Sequence, residues 1–148
     1  MELNQDAIKP TLTAGALEVE LPFLQTVLGS ARIVPLLVGS ATPTEVAEVL
    51  GRLWDDDSLI VVSSDLSHFL RYEDAQRRDS ATADAIELLD ETAINFEDAC
   101  GAIPVRGLLI EAKRRGLSIE RLDLRNSGDT AGDRDRVVGY GAWAIRAG

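Results

Sequence analysis

The chain of 148 residues is long enough for one domain with one hydrophobic core, and a 45% share of hydrophobic residues excludes a disordered protein. Its 25 Asp and Glu residues outnumber the 15 Lys and Arg residues, and the net charge of −10 disfavours binding to nucleic acid or to an anionic membrane surface. Cys100 is the single cysteine, which excludes an intramolecular disulfide, and no apolar run approaches the roughly 20 residues of a membrane-spanning helix, so we expect a cytoplasmic protein.

The first part of the chain predicts a tail, a helix and a strand. Residues 1–13 lack hydrophobic periodicity and are interpreted as a tail. Leucines recur at helical spacing over 17–28, where Pro22 is expected to kink the helix or to begin a new first turn. The apolar run 31–38 is rich in Val and Ile, a pattern typical of a strand buried on both faces. Pro35 places that strand near an edge of the sheet or beside a bulge.

A helix and a second strand are predicted next. Thr42, Pro43 and Glu45 have the pattern of a helix start, and this helix is expected to continue to about Trp54. The side chains that it is expected to bury are Val46, Val49, Leu50 and Leu53. The sequence LIVVS at 59–63 predicts a second buried strand. Two strands joined by one helix imply a right-handed parallel crossover.

The second half of the chain predicts two further helices and two further strands. The helices span about 73–90 and 104–115, and the strands span 118–124 and 137–145. A loop rich in Gly, Asp and Asn joins the two strands. The expected fold is a single α/β domain over residues 1–148, with three layers, a mixed sheet and helices on both faces.

The sequence SSDLSH at 63–68 is the most distinctive local feature, because it directly follows the second predicted strand. Ligands bind at the carboxyl ends of parallel strands, so Asp65 and His68 are candidate catalytic residues. Asp65 can accept a proton or orient a ring, and His68 can act as an acid, a base or a ligand. The alternative is that Asp65 or Ser67 caps a helical turn and that His68 is a surface residue.

Cys100 is the second candidate, as a metal ligand, because it lies in a break between two predicted helices rather than on an apolar face. A thiolate at such a position can reach a cleft and bind a soft metal. The alternative is a small buried hydrophobic residue, which is the commoner role of a lone cysteine. One cysteine and one histidine do not have the spacing of a zinc site, so the chain supplies at most part of one.

Five segments of the chain together resemble the Memo family, also called the AmmeMemoRadiSam system protein B family. In chain order they are LEVELPFLQ at 17–25, IVPLLVG at 33–39, VVSSDLSHF at 61–69, ACGAIPV at 99–105 and NSGDTAGDRDRVVGYGA at 126–142. The chain is identified as a member of this family because the five segments occur in the family's order and at its intervals. They correspond to the second half of a family domain that is roughly twice as long.

The resemblance implies a fold similar to half of a class III extradiol dioxygenase-like domain. It also implies a metal bound by two histidines of the first half and by a cysteine that matches Cys100. Asp65 and His68 match residues that line the same pocket. Family members usually have Glu-His-Ser before the first segment, whereas Ala-Gly-Ala stands here at 14–16. The cofactor stays open between iron, copper, zinc and no metal.

The resemblance leaves three functions open. The first is a Memo-like scaffold with an incomplete metal site. The second is a metal-dependent redox or dioxygenase-like enzyme whose site is completed by a partner chain or a homo-oligomer, and the third is metal carriage without turnover. Since half a domain exposes apolar surface, we expect a homo-oligomer or a complex with a separately encoded first half. The family context implies a radical-SAM protein or an AMMECR-type protein as a further partner.

Overall fold

The computed structural model of the protein describes residues 16–130 and 132–147 and divides the chain into two units, residues 1–36 and 37–148. The predicted tail at 1–13 lies outside the described residues. Among the helices that the structure describes, none has the length and apolar character needed to cross a membrane. The second unit contains every described β-strand and all three candidate site residues.

The described part of the first unit contains one helix, α1, from Ala16 to Leu28. The predicted helix over 17–28 is therefore confirmed, and Pro22 lies inside it. The Thr26 hydroxyl donates a hydrogen bond to the Pro22 carbonyl oxygen at 2.7 Å. Gly29, with a φ of +66°, follows the helix in the left-handed conformation that glycine adopts without strain.

Two predicted strands are wrong, because residues 31–38 and 59–63 have no regular secondary structure. Apolar side chains of both segments are exposed, including Val34 in the first unit and Leu59 in the second. A strand needs a neighbouring strand for its backbone hydrogen bonds, and neither segment pairs with another strand among the described residues. The parallel crossover implied by these two segments is therefore wrong as well.

The second unit begins with helix α2, from Pro43 to Leu53, which carries the predicted N-terminal cap. The Thr42 hydroxyl accepts a hydrogen bond from the Glu45 N–H at 3.2 Å, and the Thr42 N–H donates to Glu45 Oε2 at 2.8 Å. These two bonds form a capping box that satisfies two backbone donors at the helix start. Of the four side chains predicted to be buried, Val46 and Leu50 are buried. Val49 and Leu53 are exposed.

Replacement of Thr42 by alanine is expected to lower the free energy of unfolding by about 1 kcal/mol, because the Glu45 N–H loses its acceptor. Urea denaturation followed by circular dichroism measures this change. Thr44→Ala is the matched control, since Thr44 lies exposed in the first turn of the same helix and does not cap it. An equal loss of stability in both variants would contradict the capping role of Thr42.

Three antiparallel strands form the sheet of the second unit: β1 (His68–Leu70), β2 (Leu117–Asn126) and β3 (Val137–Ala147), in the order β1-β3-β2. The predicted strands over 118–124 and 137–145 are confirmed. The predicted mixed sheet is wrong, because every described pairing is antiparallel. For β2 and β3 the physical reason is their short connection, since parallel neighbours require a longer crossover.

Helices α3 (Tyr72–Glu87) and α4 (Ala102–Arg114) confirm the two helices predicted for the second half of the chain. α3 contacts β2 and β3, and α4 packs against α2. The α2–α4 contact is close at Gly107, where an added Cβ would lie 2.6 Å from Val46 Cβ. The fold class of the described structure is therefore α/β, as predicted. One cluster of buried core side chains comprises Ala85, Ile86, Ile94, Ala99, Ala102 and Leu109.

Candidate metal site

Asp65, His68 and Cys100 lie together in the second unit. One carboxylate oxygen, one imidazole nitrogen and the thiol sulfur are all within 4.8 Å of one another. His68 Nε2 is 3.5 Å from Asp65 Oδ2. The three residues form the Asp-His-Cys cluster, which unites both features that the sequence singles out.

His68 is positioned by the pairing of its strand with β3. The Leu66 N–H donates to the Gly139 carbonyl oxygen, and the Gly139 N–H donates to the Ser67 carbonyl oxygen, each at 2.9 Å. His68 itself lies opposite Val138. Because β3 also pairs with β2, the strand that carries His68 is paired with the middle strand of the sheet.

Two hydrogen bonds hold Cys100 beside Asp65. The Cys100 N–H donates to the Asp65 carbonyl oxygen at 3.2 Å, and the Asp65 N–H donates to Cys100 Sγ, also at 3.2 Å. These bonds join the segment that precedes β1 to the turn that precedes α4. The position of the sulfur is therefore set by the backbone of Asp65, whose carboxylate belongs to the same cluster.

Ser64 and Gly101 bring these two segments close together. The Ser64 hydroxyl accepts a hydrogen bond from the Gly101 N–H at 2.9 Å and donates to the Asp65 carbonyl oxygen at 2.7 Å. A Cβ on Gly101 would lie 2.8 Å from Ser64 Cβ, so a side chain there would separate the segments that hold Asp65 and Cys100. The sequence does not reveal this positioning role, and its one signal is that each residue adjoins a candidate site residue.

The Asp-His-Cys cluster is open to solvent. The side chains of His68 and Asp65 are 33% and 48% exposed, and Cys100 is exposed. A thiolate, an imidazole and a carboxylate form a ligand set that suits zinc, iron or copper. Neighbouring ligand atoms of a tetrahedral zinc site are about 3.5 Å apart, so the cluster needs only a small contraction to hold an ion.

The structure differs from one alternative role considered for these residues. Cys100 is exposed rather than a small buried hydrophobic residue. His68 is partly buried and lies in strand β1. Helix α3 has Arg71 at its N-cap, so neither Asp65 nor Ser67 caps it.

Asp79, on α3, supports the cluster and is not revealed by the motifs. It is 2% exposed, and its Oδ1 accepts a hydrogen bond from the Ser67 N–H at 3.0 Å. Burial raises the pKa of Asp79 above its ordinary value of 3.8, although the Ser67 hydrogen bond acts in the opposite direction. The sequence does contain one indication that Asp79 is buried. Asp79 falls at helical spacing on the same face of α3 as Ala75, Ala83 and Ile86.

The raised pKa of Asp79 predicts a pH dependence of stability. The unfolded chain releases this proton near pH 3.8 and the folded chain releases it at a higher pH, so the group makes folding less favourable as the pH rises through that interval. Asp79→Asn keeps an acceptor for the Ser67 N–H and removes the titration. In urea denaturation, the variant is expected to gain stability relative to the wild type as the pH rises above 3.8, and a difference that stays constant with pH would contradict this.

Comparison with known proteins identifies the family. A family model described as Memo-like protein matches residues 9–144. Relatives named MEMO1 family protein occur in Aquifex aeolicus (34% identical, covering 84% of this chain and 51% of the relative), Methanobrevibacter smithii (35%, 84% and 49%) and Archaeoglobus fulgidus (34%, 88% and 54%). The chain thus spans about half the length of the curated relatives it matches. The family predicted from the five segments is confirmed, and the chain belongs to the Memo-like protein family.

Proposed function

We propose that the chain is a Memo-like scaffold protein that carries an incomplete site for one transition-metal ion, with Asp65, His68 and Cys100 as ligands. The observation that carries this proposal is the approach of their carboxylate, imidazole and thiol groups to within 4.8 Å. Family membership supports it, because Cys100 matches the metal-binding cysteine that the resemblance implies. The donor set fits zinc, iron or copper, and each of them accepts both nitrogen and sulfur ligands.

The site is incomplete because, among the described residues, no fourth His, Cys, Asp or Glu side chain joins the cluster. His68 is the only histidine and Cys100 the only cysteine of the sequence. A tetrahedral site takes four ligands, so at least one position is left for water or for a donor from another polypeptide. The two histidines that the resemblance implies would belong to the half of the family sequence that this chain does not contain.

A metal-dependent redox or dioxygenase-like enzyme is the second candidate function. The exposure of the cluster favours it, because coordination positions stay accessible to a substrate. The resemblance to a class III extradiol dioxygenase-like fold also favours it. A bound iron or copper ion would supply the redox chemistry. Asp65 and His68 would then hold and transfer protons beside the ion, a role that their carboxylate and imidazole groups can perform.

Cobalt titration of the full chain tests the metal site. We expect one Co²⁺ ion per cluster, with the near-ultraviolet charge-transfer absorption of a thiolate ligand, and we expect zinc to displace it. Native mass spectrometry with elemental analysis reports the metal stoichiometry and the oligomeric state of the same sample. A cobalt spectrum without thiolate absorption, or the absence of stoichiometric metal, would contradict the proposal.

A further inference from the structure

Residues 59–62 have the properties of a β-strand, but they pair with no strand in the part of the chain that the structure describes. The sequence LIVV consists of apolar and mostly β-branched residues, which favour strands. None of the four residues makes a backbone hydrogen bond with another residue that the structure describes. Four consecutive residues with these preferences and without pairing are unusual, because strand formers gain their stability from pairing and from burial.

The exposure of these residues alternates along the segment. Leu59 and Val61 are 67% and 46% exposed, whereas Ile60 and Val62 are partly buried. A period of two is that of a strand with one face against the protein and one face open. The segment therefore presents an apolar face together with backbone groups that bond to no described residue, which is the arrangement to which another strand adds.

We propose that residues 59–62 pair with a β-strand from a polypeptide equivalent to the half of the family sequence that this chain does not match. The length of the relatives supports this occupant, since the chain covers only 51% of the Aquifex aeolicus relative and 49% of the Methanobrevibacter smithii relative. In each relative, the remaining half of the sequence belongs to the same polypeptide as the matched half. It is therefore the one partner that the comparison itself supplies.

A second copy of this chain fits the segment poorly. Asp55, Asp56 and Asp57 precede the segment, and Asp65 follows it. In an antiparallel pair centred on residues 59–62, Asp56 of one copy would face Asp65 of the other, and a parallel pair in register would oppose each aspartate to itself. Like charges that face each other across strands are destabilising, and the net charge of −10 adds repulsion between copies.

Pairing at residues 59–62 would bring the partner to the Asp-His-Cys cluster. Asp65 is three positions beyond Val62, a distance of at most about 10 Å along an extended chain. A paired strand that continues past Val62 therefore reaches the cluster, and one of its side chains can occupy the open ligand position. This last step rests on the proposed function, whereas the strand pairing does not.

Amide hydrogen exchange measured by mass spectrometry tests the pairing. The full chain is studied alone and after co-production with a polypeptide that comprises the part of the Aquifex aeolicus relative outside its match to this chain. We expect a complex with one copy of each polypeptide, in which the amides of residues 59–62 exchange at least about 100-fold more slowly than in the chain alone.

Two variants and a control separate strand pairing from other modes of contact. Val61→Pro removes an N–H that bonds to no described residue, so the chain alone is expected to keep its stability while its affinity for the partner falls at least about tenfold. Val61→Lys places a charge on the open face and is expected to weaken binding as well. Leu88→Lys is the matched control, because Leu88 is an exposed apolar residue outside the segment, and it is expected to bind as the wild type does.

Three results would overturn the inference: no complex, a homodimer formed through residues 59–62, or a complex in which these amides are not protected. Zinc titration of the chain alone is independent of the partner. Amide protection in a chain that binds no zinc would support the pairing and refute the proposed function. Zinc binding without amide protection would support the proposed function and refute the pairing.

Discussion

Zinc affinity is expected to fall about 100-fold or more when Cys100 is replaced by serine, and by a similar factor when His68 is replaced by alanine. Each change removes one of the three protein ligands proposed for the ion. The loss of a group that only orients a ligand already lowers metal affinity by about 10- to 100-fold. The loss of a ligand itself is therefore expected to lower the affinity by at least this factor. Isothermal titration of zinc into the wild type and both variants measures the effect.

The same two variants are expected to keep the fold. Both side chains are partly or fully exposed, and the hydroxyl that Cys100→Ser introduces would keep an acceptor for the Asp65 N–H. We expect each change to lower the free energy of unfolding by less than about 1 kcal/mol. Asp56→Asn is the matched control, because it removes an exposed carboxylate outside the cluster. An equal loss of zinc affinity in that control would indicate nonspecific binding to acidic surface and would contradict the site.

The second large effect is on stability. Gly139→Ala is expected to lower the free energy of unfolding by about 3 kcal/mol, because the added methyl group would lie 2.6 Å from Cγ of the buried Asp79. The middle strand cannot shift to relieve this overlap without disturbing the hydrogen bonds that Gly139 makes to Leu66 and Ser67. Gly39→Ala is the matched control, since an added Cβ at Gly39 meets no atom within 4 Å.

A double-mutant cycle identifies Asp79 as the cause of that loss. The three atoms nearest to a Cβ added at Gly139 all belong to the Asp79 side chain. In an Asp79→Ala background, Gly139→Ala is therefore expected to cost less than about 1 kcal/mol, as measured by urea denaturation. A cost of the same size in both backgrounds would mean that the overlap with Asp79 does not determine the effect.

Helices of the second unit could be predicted because their signals are local. Thr42, Pro43 and Glu45 identify the start of α2 through a cap that involves only neighbouring residues. The burial of its side chains is harder to predict, since Val49 and Leu53 share the apolar pattern of Val46 and Leu50 but remain exposed. Periodicity identifies a helix, whereas the number of its faces that are covered depends on the elements packed around it.

Some strands could be predicted and others could not, and the difference is whether the pairing strand lies nearby in the sequence. β2 and β3 are close in sequence and pair with each other, so their alternating patterns predict them correctly. Residues 31–38 and 59–63 have equally good strand sequences but pair with no strand among the described residues. A strand is a property of two segments, and a sequence pattern in one of them cannot supply the other.

By itself, the sequence determined the family, the helices and the cap of α2, and it named Asp65, His68 and Cys100 as candidates for metal or acid–base chemistry. These are consequences of residue type and short-range order along the chain. Only the tertiary structure decided that Cys100 lies beside Asp65, that Asp79 is buried under Ser67, and that Leu59 and Val61 stay uncovered. Each of these depends on contacts between segments far apart in the sequence, whose free energy comes from packing and hydrogen bonding that no local pattern encodes.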